Sequence, residues 1–198
     1  MIHTPGVMPV QDLALEKLLA GNRRYRDTNQ TYPHQTVASR QALRERQEPF
    51  AVILNCADSR VPPELIFDQG LGDLFVIRIA GHVIDDRVLA SVEFAVTVLG
   101  VPLVMVLGHS QCGAVEAAIR GGELPGSLPK LSTAIQPAVA AAKALPGDLA
   151  DNVVRANASM TAQRLTRSPL LEQSVTDEQV KIVAARYDLG TGAVELLT

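Results

Sequence analysis

The sequence predicts an α/β fold, with a mostly parallel four-stranded sheet, an antiparallel fifth strand, and helices flanking the sheet. Three observations carry this expectation. Four strand-like runs, Phe50–Leu54, Asp73–Ile79, Leu103–Leu107 and Val180–Tyr187, have largely continuous apolar cores, the pattern of strands buried on both faces. Stretches of helical spacing separate them, and such alternation argues parallel pairing. The last run is followed by the turn Asp188-Leu-Gly-Thr-Gly192 and a short run Ala193–Leu197, which makes the final strand antiparallel.

The elements follow in chain order. Val10–Arg26 places Leu15, Leu18 and Leu19 on one side of a helix, with Lys17, Arg23, Arg24 and Arg26 elsewhere, and Asp12 favours its positive end. Tyr32-Pro-His-Gln35 is a loop, and Val37–Arg46 reads as a short charged helix. Pro62-Pro63 opens another helical segment, consistent with proline in a first turn. Asp86–Leu99 is helical, with Gly100 as its C-cap. Gly113–Arg120 is a helix stopped by Gly121-Gly122. The region Glu123–Pro146 is rich in Pro and Gly; within it the alanine-rich stretch Ala134–Leu145, broken by Pro137 and carrying Lys143, reads as a surface or interface helix. Ala150–Arg167 is again helical.

A chain of 198 residues, 47% hydrophobic, suits one domain, residues 1–198, with a full core and no need of staples. The net charge of -3 gives no electrostatic case for nucleic acid or an anionic membrane. Aromatics at 4% provide no stacking platform for single strands. No run approaches the length of a membrane helix, and Met1-Ile-His-Thr-Pro-Gly6 lacks a basic segment and an apolar core of signal length. The two cysteines sit in polar, motif-like surroundings rather than in a secreted disulfide framework, so a reducing compartment, the cytoplasm, is expected.

Both cysteines follow strand-like runs. The first lies in Cys56-Ala-Asp58-Ser-Arg60, the second in His109-Ser-Gln-Cys112. Two thiolates and an imidazole are the ligand types Zn²⁺ prefers, and three protein ligands leave one position open, the mark of a catalytic rather than a structural zinc. Two rival readings stand beside this one. Buried cysteine is often only a small hydrophobe. A cysteine nucleophile is the second rival, with Cys56 and Arg60 suggesting a phosphate-binding thiol; Asp58 between them would repel phosphate, and one cysteine would be left without a role.

The residues carry a resemblance beyond these short motifs. Gly21-Asn-Arg-Arg-Tyr25, Cys56-Ala-Asp-Ser-Arg-Val-Pro-Pro-Glu64, Ile66-Phe-Asp-Gln-Gly-Leu-Gly-Asp-Leu-Phe75, Arg78 with Ala80-Gly-His82, Ser91-Val-Glu-Phe-Ala95 and Leu107-Gly-His-Ser-Gln-Cys-Gly-Ala114 together resemble the β-class carbonic anhydrases, most closely their actinobacterial members. The likeness runs from the first helix through Ile119 and resumes around Val183–Leu196. It implies Zn²⁺ on Cys56, His109 and Cys112, and reversible hydration of CO₂ to bicarbonate and a proton by a zinc-bound hydroxide.

Asp58 is implied as the hydrogen-bond partner of that hydroxide, with Arg60 holding it through a bidentate pair. Released by Arg60, Asp58 could become the fourth ligand and close the site, and alkaline pH should favour the open form. Gln47 matches a substrate-binding glutamine, Phe75 an apolar wall of the CO₂ pocket, and Gly113 a position where the chain passes close to the metal and lends an N–H. His82, His34 and His3 are not assigned to zinc; His82 reads first as a structural histidine and second as a proton shuttle. The regulatory bicarbonate pocket of some relatives is not expected, because Ile53 and Phe94 stand where its Trp and Tyr would be, although Arg78 is present.

The resemblance also implies a homodimer or homotetramer, with residues 1–45 as a helical arm packed on the partner. Two other functions stay open on this scaffold. One is hydrolysis of CS₂ or COS at the same site. The other is a zinc-containing inorganic-carbon sensor with Asp58 locked on the metal.

Overall fold

A computed structural model describes residues 8–197. His3 lies outside them. The described chain forms β1 (Ala51–Asn55), β2 (Leu74–Arg78), β3 (Leu103–His109), β4 (Lys181–Tyr187) and β5 (Val194–Leu197). The helices are α1 (Val10–Arg26), α2 (Val37–Ala42), α3 (Pro63–Ile66), α4 (Asp86–Thr97), α5 (Gly113–Arg120), α6 (Leu128–Ala142), α7 (Leu149–Thr166) and α8 (Pro169–Thr176). The sheet order is β2-β1-β3-β4-β5; β4 and β5 pair antiparallel and every other pair is parallel. The expected fold class is the observed one.

Alternation along the strands divides the core into two layers. Ala51 and Ile53 of β1 and Leu103, Met105 and Leu107 of β3 face α1, α5 and α6. Val52, Leu54, Val104 and Val106 face α4 and α8. α7 contributes to both layers, through Val153 and Val154 on one side and Ala158 and Leu165 on the other. Each such Val, Leu, Ile or Met side chain, buried, stabilises the fold by about 1.5–3 kcal/mol. α1 docks its Leu15 and Leu18 face on the chain's own core and leaves Val10 and Leu13 exposed. It sits close: a Cβ at Gly21 would lie 1.7 Å from the Phe67 carbonyl oxygen, so only glycine permits the contact.

Several elements differ from the sequence expectation for identifiable reasons. The second helix ends at Ala42 rather than Arg46; none of its residues is buried, so no packing sustains it beyond the Thr36 cap, whose hydroxyl accepts from Ser39 N–H at 3.1 Å. α4 stops at Thr97, and Gly100, with φ of 70°, turns the chain three residues later instead of capping the helix directly. The alanine-rich segment lies in a surface helix, as expected, but Pro137 does not interrupt it. α6 runs straight through Pro137 and buries Ile135, Ala138, Val139 and Ala142. Pro137 and Thr133, whose carbonyl loses its helical partner there, both face solvent, where water replaces the missing bond. α8 was not anticipated; Ser168-Pro169 opens it and Leu171 anchors it.

Candidate metal centre

Parallel pairing brings the carboxyl ends of β1 and β3 side by side, the usual place for ligands in open α/β sheets. Cys56 follows the last residue of β1, and His109 is the last residue of β3. Cys112 is the residue before α5. The connection needs one left-handed residue, Gln111, with φ of 54°. Among the described residues, Cys56, His109 and Cys112 bring one donor atom each within 4.8 Å of one another. All three are buried, and both cysteines are free thiols.

The site is set by backbone hydrogen bonds. Asn55, fully buried, donates from Nδ2 to the Val61 carbonyl at 2.7 Å and closes the loop that follows β1. Arg78 spans that loop, donating from Nε to the Cys56 carbonyl at 3.1 Å and from Nη2 to the Asp58 carbonyl at 2.5 Å. His109 donates Nδ1–H to the Ser110 carbonyl at 2.9 Å, which fixes the tautomer and leaves the Nε2 lone pair facing the cysteines. That Nε2 is buried and has no hydrogen-bond partner among the described residues. Ser110 is held in turn, its Oγ accepting from Leu189 N–H at 2.9 Å.

The sulfurs are strongly polarised. A hydrogen bond from Cys112 draws the Cys56 thiol down into the thiolate range, aided by the Gly81 N–H, which donates to Cys56 Sγ at 3.3 Å, and by the Asp58 N–H. The same bond pushes the Cys112 thiol up, and burial adds to it. Two buried sulfurs thus bond each other beside an imidazole nitrogen with an unused lone pair. A divalent cation would satisfy all three donors, so the residues fit a metal, and an N/S₂ set fits zinc.

Asp58 stands at the edge of this group, its Oδ2 3.9 Å from His109 Nε2. Arg60 grips it with both ends, Nε to Oδ1 at 2.9 Å and Nη2 to Oδ2 at 2.7 Å, while Arg60 N–H donates to Oδ1 at 2.9 Å. Arg60 Nη2 also reaches the Gln111 carbonyl at 3.1 Å, tying the two ligand loops together. Hydrogen bonding from Arg60 holds the Asp58 carboxyl far below the usual carboxylate range.

The remaining expected residues lie elsewhere. Gln47 is exposed and precedes β1, so it sits at the amino end of the sheet; the five residues of β1 place that end about 16 Å from Cys56. Phe75 pairs with Val52 across β1 and β2 and packs near Phe94, ring centres 6.4 Å apart, on the α4 side. Within one chain neither reaches the cysteines. Gly113 begins α5 with nothing within 4 Å of an added Cβ, so no close approach of the chain itself requires glycine. The N–H groups that reach Cys112 are those of Val115 and Ala114. His82 is fully buried, and burial pushes it down to about 4, which leaves it neutral and structural. Sequence reasoning did not find the Gly81 donor, the Arg78 brace or the Ser110 tether, because backbone partners leave no mark in residue type.

A buried N/S₂ pocket at a parallel-sheet switch, flanked by a guanidinium-held carboxylate, is a group that could hold a metal ion. The carbonic anhydrase family matches residues 51–194, and the chain belongs to that family. It is 42% identical to carbonic anhydrase 2 of Mycobacterium tuberculosis over 97% of this chain and 94% of that protein. It is 41% identical to the carbonic anhydrase of Mycolicibacterium smegmatis over 92% of this chain and 91% of the other. In fold it matches a tetrameric β-carbonic anhydrase from Sordaria macrospora, with a TM-score of 0.75, 22% identity and 94% of each chain covered.

Proposed function

We propose that this chain hydrates CO₂ reversibly to bicarbonate and a proton, with Zn²⁺ held by Cys56, His109 and Cys112. The observation that carries the proposal is the convergence of two thiols and the unpartnered His109 Nε2 within 4.8 Å, beside a carboxylate fixed by Arg60. When bound, zinc supplies Lewis acidity that brings the pKa of a water to about 7.

The chain's own residues supply the rest. His109 keeps one tautomer through its bond to the Ser110 carbonyl. Asp58 stays ionised because Arg60 pairs with it, and so it can only accept; it would accept a hydrogen bond from the O–H of the nucleophile and so aim the oxygen lone pair at CO₂. Arg60 bonds both Asp58 and the Gln111 carbonyl, so the carboxylate keeps its place relative to both ligand loops.

Gln47 and Phe75 do not reach the centre from the same chain. A homodimer or homotetramer with the active site at the subunit boundary gives them a place, as substrate-binding and apolar-wall residues of the neighbouring copy, while Gly113 offers its N–H at the helix start. Of the expected arm, residues 8–45 reach the partner, and residues 1–7 lie outside the described residues; the exposed Val10 and Leu13 support this. The tetrameric Sordaria relative supports assembly. Among the described residues no helix is long and apolar enough to cross a membrane, and the cytoplasm is the proposed location.

The test is stopped-flow hydration of CO₂ by purified protein, before and after removal of metal with a chelator. Rapid hydration that is lost on chelation and restored by added zinc is expected. Turnover of CS₂ or COS without CO₂ hydration, or metal uptake with no turnover at alkaline pH, would contradict the proposal.

A further inference from the structure

We propose that Asn157 on α7 is a positioning residue for the metal ligand Cys56, acting through the backbone of Gly81. The inference rests on the metal-centre reading above. Asn157 is 4% exposed and lies far along the chain from every ligand. Its Nδ2 donates to the Gly81 carbonyl at 2.9 Å and to His82 Nε2 at 2.9 Å.

The orientation of this amide follows from its partners. A carbonyl oxygen can only accept, so the group facing Gly81 must be the NH₂. Its second hydrogen then goes to His82 Nε2, which must be the unprotonated ring nitrogen. One amide thus clamps two consecutive residues of the short turn Ala80–His82. Gly81 and His82 both lie in the left-handed region, with φ of 68° and 43°. Consecutive residues in that region persist only where surrounding contacts impose them. The turn is also wedged, since a Cβ on Gly81 would lie 2.9 Å from Ile135 Cδ1 and 3.1 Å from Ala114 Cβ.

The clamp matters because of what the turn presents. The Gly81 N–H donates to Cys56 Sγ at 3.3 Å. A hydrogen bond to a ligand sulfur draws electron density from it and makes it a weaker donor. Without Asn157, the Gly81 carbonyl and His82 Nε2 are left buried and unpaired, the turn relaxes, and the N–H leaves the sulfur. The sulfur then becomes more electron-rich and the bound metal a weaker acid.

The experiment compares wild-type protein, Asn157→Leu and His82→Asn, each loaded with Co²⁺ so that sulfur-to-cobalt charge-transfer absorption reports on the thiolates. Asn157→Leu should move the band to longer wavelength. It should also raise the pH midpoint of CO₂ hydration, losing about 10-fold in rate at neutral pH and recovering at alkaline pH. His82→Asn suits the left-handed backbone and keeps the bond to the Gly81 carbonyl, so its band should stay at the wild-type position. If Asn157→Leu does not fold, Gly81→Ala displaces the same turn, and the same red shift is expected. A wild-type band and midpoint in folded Asn157→Leu, or in Gly81→Ala, overturns the proposal even if melting temperature falls. Wild-type protein that takes up no Co²⁺ overturns the metal-centre reading instead.

Discussion

Replacing Asp58 with alanine should lower CO₂ hydration by about 10²-fold or more while zinc stays bound. The Asp58 carboxylate bonds no cysteine; its Oδ2 lies 3.9 Å from His109 Nε2, its bonds run to Arg60, and only its backbone N–H, which alanine keeps, reaches Cys56. The metal donors are therefore intact without it. What the variant loses is the fixed acceptor that orients the attacking water. Arg60 would keep its bond to the Gln111 carbonyl, so the ligand loops stay tied. The check is metal content by elemental analysis beside the hydration rate. Full activity with zinc retained removes Asp58 from the mechanism. Loss of zinc together with activity would mean that Asp58 helps to hold the metal.

Replacing His109 with alanine should have a larger effect. His109 is fully buried and its Nε2 is the only nitrogen of the donor set. Two sulfurs alone give an incomplete tetrahedral site, and zinc affinity should fall by more than the roughly 10–100-fold typical of outer partners. Hydration should fall to the background rate at any zinc concentration the protein tolerates. Competition with a chelator measures the affinity, and circular dichroism confirms the fold. Wild-type affinity in a folded His109→Ala protein would show that the histidine is not a ligand.

Much of this was legible in the sequence where local pattern and tertiary burial agree. Helix α1 has the bounds that its spacing predicts, α5 those that its flanking glycines predict, and the final antiparallel pair follows from the turn at Asp188–Gly192. The pairing of Cys56 with His109-Ser-Gln-Cys112 was readable because both motifs end buried strands. Other features were not readable for physical reasons. The continuity of α6 through Pro137 was not readable, because it depends on the freed Thr133 carbonyl facing water while Ile135, Ala138, Val139 and Ala142 anchor the helix. The tuning of Cys56 was invisible because its donor is a backbone N–H, positioned by a side chain on a distant helix. Gln47 and Phe75 show a third limit. Sequence order brings Gln47 near Cys56, yet strand β1 carries the two to opposite ends of the sheet.

The account's central claim is one metal ion held by two sulfurs and one imidazole nitrogen. X-ray absorption at the zinc edge of the purified enzyme measures that shell directly. The predicted spectrum fits two sulfurs at about 2.3 Å, one nitrogen at about 2.0–2.1 Å and one further light atom. A shell of nitrogen and oxygen without sulfur, or a protein that binds no zinc at all, would contradict it.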